Sequence, residues 1–285
     1  MSATASATEA IVLSIMLGVK VFASSGRDRC DYPMIGHRGE GRVAGAIQIS
    51  EERGVRYLHF GSHWVQGAMR LSRPWALELE YTREMLVPLL LRPEGWPRRV
   101  LLIGLGAASL TKFLWRHRPR ARLRVAELRE DVVRAAAQFF ELPDDPRIDI
   151  EIADGAAFVQ RDDEGFDLIL VDGYDARGRV GALDTPEFYG HCAARLARGG
   201  LLATNLLTRH RGVDASLARL RGAFDGEAAA LPPCRSGNVI LLAARGATLE
   251  LDASDLAPRA RALRDATGLD LGPTLLRMSR TATRR

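Results

Sequence analysis

Arg99–Glu127 reads RVLLIGLGAASLTKFLWRHRPRARLRVAE. Val100–Ile103 is too short and too β-rich for a helix and predicts a buried strand. Gly104-Leu105-Gly106 follows at once, and Ala107–Trp115 has the spacing of a helix. A second strand, Leu123–Ala126, runs into Glu127. This is the strand, glycine turn, helix, strand and acid of a nucleotide-binding βαβ unit. Gly104 and Gly106 let the backbone turn and approach a ligand, and an acid about twenty residues further on can hold a ribose diol. A lone G-x-G is a weak signal, because many strand-to-helix turns carry glycine for steric reasons. Glu127 strengthens it. Ser109 stands where a dinucleotide fingerprint has its third glycine, which favours an adenosine ligand without a pyrophosphate.

Working outward, the pattern continues as a doubly wound sheet. Upstream, Ala46–Ser50, Arg56–Phe60 and Trp64–Leu71 predict a small antiparallel sheet, and Glu78–Leu91 a helix kinked or turned at Pro88. Downstream come a helix at Glu130–Phe140, a strand at Ile148–Ala153 ending in Asp154-Gly155, and a strand at Phe166–Val171 ending in Asp172. Thr185 caps a helix to about Leu196, Gly199-Gly200 closes it, and Leu201–Leu206 is a strand. A helix near Asp214–Phe224, a strand at Asn238–Ala243 and a helix at Leu256–Ala266 complete the pattern. The domain organisation expected is a poorly ordered leader over 1–40, a small N-terminal β domain over 41–76, a Rossmann-like domain over 77–248, and a C-terminal helix with a frayed basic tail over 249–285.

At 285 residues the chain can bury a sizeable core. Of its 40 basic residues only Lys20 and Lys112 are lysine, and 35 acids are interspersed among the arginines, for a net charge of +5. That surface does not argue for nucleic acid, and no DNA- or RNA-binding motif is present. Cys30, Cys192 and Cys234 have neither disulfide nor zinc spacing, which fits a reducing cytoplasm. No histidine spacing suggests a metal. Ala10–Ala23 lacks a basic flank, carries Lys20, and is too short to span a membrane.

Ligands in such sheets bind beyond the carboxyl ends of the strands. Four successive strands end in Gly104/Gly106, Glu127, Asp154-Gly155 and Asp172. Any one acid there could be a helix cap; four such strand ends in register describe an adenosine pocket. Glu127 suits the ribose and Asp154 the adenine amine. Asp172-Gly173-Tyr174-Asp175 then offers two carboxylates at the reactive end. An amine nucleophile is protonated at pH 7 and needs a base, a role open to one of these acids. Tyr174 either walls the pocket or packs.

From about Arg56 to Leu207 the chain resembles the spermidine synthase (polyamine aminopropyltransferase) family. The motifs that carry the resemblance are E-x-x-Y at Glu78–Tyr81, V-L-L-I-G-x-G, Glu127, D-D-P-R at Asp144–Arg147, Asp154-Gly155, D-x-x-D at Asp172–Asp175 and T-x-x-F-Y at Thr185–Tyr189. It implies a Rossmann-like S-adenosylmethionine-dependent methyltransferase fold, an α/β architecture preceded by a β domain that joins two subunits as a homodimer. It further implies that Gly104, Gly106, Glu127, Asp154 and Gly155 hold decarboxylated S-adenosylmethionine. Asp172 becomes the proton acceptor, and Asp175, Tyr81, Tyr174 and Glu78 bind the amine. No metal is called for. The family's turn reads G-G-G-D-G where this chain has Gly104-Leu105-Gly106-Ala107-Ala108, so Ala107 replaces the acid that holds the aminopropyl amine. Thr82 replaces a histidine, Ala176 a proline, and no glutamine is evident near Arg53–Val55. The adenosine half is intact and the amine half thinned. Aminopropyl transfer to a di- or polyamine is therefore expected. The alternatives are methyl transfer from S-adenosylmethionine itself and a non-catalytic adenosine- or polyamine-binding protein.

Overall fold

The computed structural model describes residues 20–23, 45–61, 64–161, 165–173, 181–207 and 212–282. The predicted nucleotide-binding unit is its centre. β5 (Arg99–Ile103) leads through the glycine turn to α2 (Ser109–His117) and returns as β6 (Arg122–Glu127). α1 (Glu80–Glu84) precedes it. After it come α3 (Glu130–Phe139), β7 (Ile148–Ile152), α4 (Gly155–Phe158), β8 (Phe166–Val171) and α5 (Pro186–Arg195). The remaining elements are β9 (Leu196–Leu207), α6 (Val213–Ala223), β10 (Ala228–Ala230), β11 (Asn238–Ala244), α7 (Ala253–Thr267) and α8 (Gly272–Ala282).

The sheet has the strand order β10-β11-β9-β8-β5-β6-β7. Five neighbouring strands, β9 to β7, run parallel; β11 is antiparallel to both β9 and β10. Strand order reverses at β5, between β6 and β8, so the crevice for a ligand opens at the end of β5. Alternation along β5 divides the core. Val100 and Leu102 face a cluster shared with α2, α3, α7 and α8, whereas Leu101 and Ile103 face one shared with α4, α5 and α6. Burial on both faces is why this strand reads as an unbroken apolar run.

The N-terminal sheet, β1 (Lys20–Ala23), β2 (Ile47–Glu52), β3 (Val55–Phe60) and β4 (Val65–Arg70), has the order β1-β2-β3-β4. Its Ile47, Ile49, Leu58 and Met69 enter the same core cluster as α2, which fixes β4 beside the glycine turn. β2 and β3 are joined by the two residues Arg53-Gly54, with φ of +50° and +74°. A turn with both central residues left-handed matches strand twist but penalises a Cβ at its first position. Arg53→Asn is expected to raise stability by about 0.5–1 kcal/mol, seen as an increase in Tm. An unchanged or lower Tm would refute it.

Several sequence expectations are corrected. The leader is not wholly without structure, since Lys20–Ala23 forms β1, parallel to β2; the rest of 1–40 lies outside the described residues. The helix expected over Glu78–Leu91 ends at Glu84, and Val87–Leu90 is a 3-10 turn, because Pro88 cannot continue the α-helical ladder. Gly199-Gly200 does not separate helix from strand. β9 starts at Leu196 and bulges before rejoining β8 at Leu201, with Gly199 at φ +79°. The basic tail is α8, and Leu271 just before it and Leu275 and Met278 within it are buried in the core. β10, three alanines, gave no sequence signal.

The D-D-P-R motif and Lys112 are both engaged in contacts within the fold. In D-D-P-R, Asp145 accepts from Trp115 Nε1 (2.8 Å) and from the Arg147 amide (2.8 Å) and guanidinium, a set of donors that holds its carboxyl well below the usual range. This knot ties the entry of β7 to α2. Lys112 is buried and donates to Phe140 O (2.6 Å), and burial pushes its pKa down to about 8.

Candidate functional site

The carboxyl ends of β5, β6, β7 and β8 meet around the glycine turn. Gly104 has φ +95°, and a Cβ there would lie 2.3 Å from the carbonyl oxygen of Asp172. Only glycine permits that approach. It brings the exit of β5 against that of β8, where the Asp172 amide donates to Ile103 O (2.8 Å). Gly155 is buried directly under Ile103, and Gly106 lies beside the backbone oxygen of Gln66 on β4.

Glu127, 7% exposed, accepts from the Leu105 amide through Oε2 (2.8 Å) and from the Arg129 amide through Oε1 (2.9 Å). Its carboxylate thus fixes the glycine turn from below. Burial pushes its pKa up, while the two amides and Arg129 pull it back. Each oxygen keeps a further lone pair for a ligand hydroxyl. Asp154 is exposed and caps α4, accepting from the Ala157 amide (2.9 Å) through Oδ1. Beside these acids stand two exposed apolar side chains, Leu128 (66%) and Ile152 (48%). Both follow from strand ends and neither was singled out from sequence.

Asp172 stands at the end of β8. Its Oδ2 accepts from the Tyr81 hydroxyl (3.2 Å), carried by α1, and its Oδ1 from Asn205 Nδ2 (2.9 Å), carried by β9. Burial raises its pKa above the ordinary carboxylate range, and the Asn205 and Tyr81 donors partly offset that. A carboxylate so placed is a stronger proton acceptor than one in water.

The structure therefore brings Gly104, Gly106, Glu127, Asp154, Gly155, Asp172 and Tyr81 to one end of the sheet. Tyr174 and Asp175 lie outside the described residues. Glu78 is engaged elsewhere: both its oxygens pair with Arg70, one at 3.0 Å from Nε. Thr82 turns inward, its hydroxyl donating to Leu79 O (2.7 Å), so the expected histidine position contributes nothing polar to the cleft. Ala107 is 3% exposed beneath β4; a Cβ on Gly67 would come within 2.5 Å of the Ala107 Cβ. Strand and turn touch there because both positions are small. Sequence reasoning also passed over Asn205 and Asn238. The signal of Asn205 was an amide within the mostly apolar run LLATNLL; Asn238 stands at the head of the run NVILLAA. Gln66, on β4, brings its backbone oxygen beside the glycine turn.

A spermine/spermidine synthase domain model matches residues 79–221. The chain is 34% identical over 236 residues to a polyamine aminopropyltransferase of Chromobacterium violaceum, covering 82% of this chain and 90% of that protein. It is 33% identical to one of Neisseria meningitidis, covering 79% and 85%. Among solved structures, a probable spermidine synthase from Corynebacterium glutamicum aligns with a TM-score of 0.66 at 22% identity, over 81% of this chain and 88% of that one. A spermidine synthase in complex with the transition-state analogue AdoDATO aligns at 0.59 and 23% identity, over 72% of each chain. Human methyltransferase-like protein 13 in complex with SAH aligns at 0.59 and 22%, over 66% and 92%.

Proposed function

The chain belongs to the spermine/spermidine synthase family, and from that premise we propose that it transfers an aminopropyl group from decarboxylated S-adenosylmethionine to a di- or polyamine. One observation supports this most: Asp172 is held by two neutral donors at the strand-order switch, with its pKa raised. Glu127 holds the ribose diol and Asp154 the adenine amine, between the exposed faces of Leu128 and Ile152. Gly104, Gly106 and Gly155 admit the nucleoside against the backbone. Asp172 takes a proton from the substrate ammonium. The freed lone pair attacks the methylene next to the sulfonium, a C–N bond forms as the C–S bond breaks, and the electron pair leaves on sulfur as methylthioadenosine. No covalent enzyme intermediate is required. Asp175 and Tyr174 complete the amine site, and Tyr81 orients the base. Glu78 acts by anchoring Arg70 at the foot of α1 rather than by touching the amine.

Calorimetric titration with decarboxylated S-adenosylmethionine, S-adenosylmethionine and methylthioadenosine tests this, followed by a putrescine transfer assay. Tight binding of the first and third with turnover of putrescine is the expected result. Preference for intact S-adenosylmethionine would move the assignment to methyl transfer, for which Ala107 removes a repelling acid. Binding of none of the three would overturn the adenosine pocket.

A further inference from the structure

Behind Asp172 runs a line of hydrogen bonds with a single direction. Ser236 Oγ donates to Asn238 Oδ1 (2.7 Å), Asn238 Nδ2 to Asn205 Oδ1 (2.9 Å), and Asn205 Nδ2 to Asp172 Oδ1 (2.9 Å). Asn205 is 2% and Asn238 5% exposed, on adjacent antiparallel strands where Asn205 pairs with Ile240 and Asn238 with Leu207. The two amides are thus diagonal neighbours on one face of the sheet.

An asparagine amide has a donor end and an acceptor end of similar shape, so something must decide which end meets a neighbour. Facing a carboxylate, the wrong end would set oxygen against oxygen. Here Asn238 decides for Asn205 by offering an N–H to its oxygen, and Ser236 decides for Asn238 by offering its O–H. We propose that Asn205 and Asn238 are positioning residues for the transfer reaction: Asn238 locks the amide of Asn205 so that it donates to Asp172, fixing the carboxylate's rotation and the proton affinity of the base. This rests on Asp172 being the proton acceptor.

Among the described residues, the groups facing Asp172 are the Tyr81 phenol from α1 and the Asn205 amide from β9. Asp175 follows three residues on in sequence. Both donors are neutral groups, so a change at Asn205 or Asn238 reads out through Asp172 itself.

The test is the pH dependence of kcat/KM for the amine in Asn205→Leu, Asn238→Leu and the conservative Asn205→Gln, with Asp172→Asn alongside. Loss of the donor in Asn205→Leu, and of the lock on it in Asn238→Leu, lets burial dominate, so the acid limb moves to higher pH by about one unit in both leucine variants. At pH 7 kcat falls about ten- to a hundredfold, with methylthioadenosine affinity within about threefold of the parent. Asn205→Gln, which keeps a donor, restores most of the rate. An acid limb that stays in place in both leucine variants overturns the proposal, even if their Tm falls. So does a loss confined to KM or to nucleoside binding. Should Asp172→Asn retain the parent rate, the base assignment fails and this proposal with it; if Asp172→Asn is inactive and the acid limb is unmoved, this proposal alone fails.

Discussion

Asp172→Asn is expected to lower kcat for aminopropyl transfer by about 10²- to 10⁴-fold, the range a positioned general base supplies. The substituted amide has the carboxylate's shape and can still accept from Asn205 Nδ2, and the Tyr81 oxygen can accept from its N–H. Fold and nucleoside pocket are therefore kept, and the loss falls on kcat. Stability should move the other way. The Asp172 carboxyl has its pKa raised in the folded state. A raised folded pKa means the folded protein binds more protons than the unfolded chain between the two values. The group's contribution is then present at low pH and lost as pH rises through the folded value. At pH 7 this partly buried charge is a net cost, which the neutral amide removes, so Asp172→Asn should melt at a higher temperature than the parent. Turnover assayed beside thermal melting at pH 7 checks both halves. An active variant would sink the base assignment, and an unchanged or lower Tm would mean that the burial of this charge is not a cost.

How much of this was legible in the sequence follows from the range of each interaction. The βαβ unit, the three acids at strand ends and Tyr81 were readable, because each depends on local periodicity or on a residue beside a turn. Asn205 and Asn238 were not, because their pairing exists only once β9 and β11 lie antiparallel in one register. Leu128 and Ile152 look like ordinary core residues until the strands end and leave them exposed. Glu78 shows the opposite failure. Its motif was recognised, but the bidentate pair with Arg70 depends on β4 packing beside α1. β1 joins its sheet in parallel to β2, a pairing no local pattern announces. The same holds for α8, whose arginines suggested a solvated tail while Leu271, Leu275 and Met278 carried it into the core.

That last helix carries the second large expectation. Glu84 of α1 is 0% exposed, and its Oε1 is met by Arg277, which also bridges to Glu80 Oε1 (2.8 Å), and by Thr274 Oγ1 (3.2 Å). Glu84 Oε2 has no hydrogen-bond partner among the described residues. Arg277→Ala would leave a buried carboxylate without its counter-charge, the situation in which breaking an ion pair costs far more than the pair itself contributes. A loss of about 3 kcal/mol is expected, or a fall in Tm of about 6–12 °C for a domain of this size. Adding Glu84→Gln to Arg277→Ala removes the uncompensated charge, so the double variant should recover a large part of the loss. That recovery separates an electrostatic cost from simple loss of packing, since arginine's stem is absent from both variants. A shift under 2 °C in the single variant, or a double variant no more stable than the single, would show that Glu84 is not charged in the fold. Because α1 also carries Tyr81, a helix loosened at Glu84 would weaken the donor to Asp172. The parent's activity at temperatures well below its Tm should therefore survive in the double variant better than in the single one.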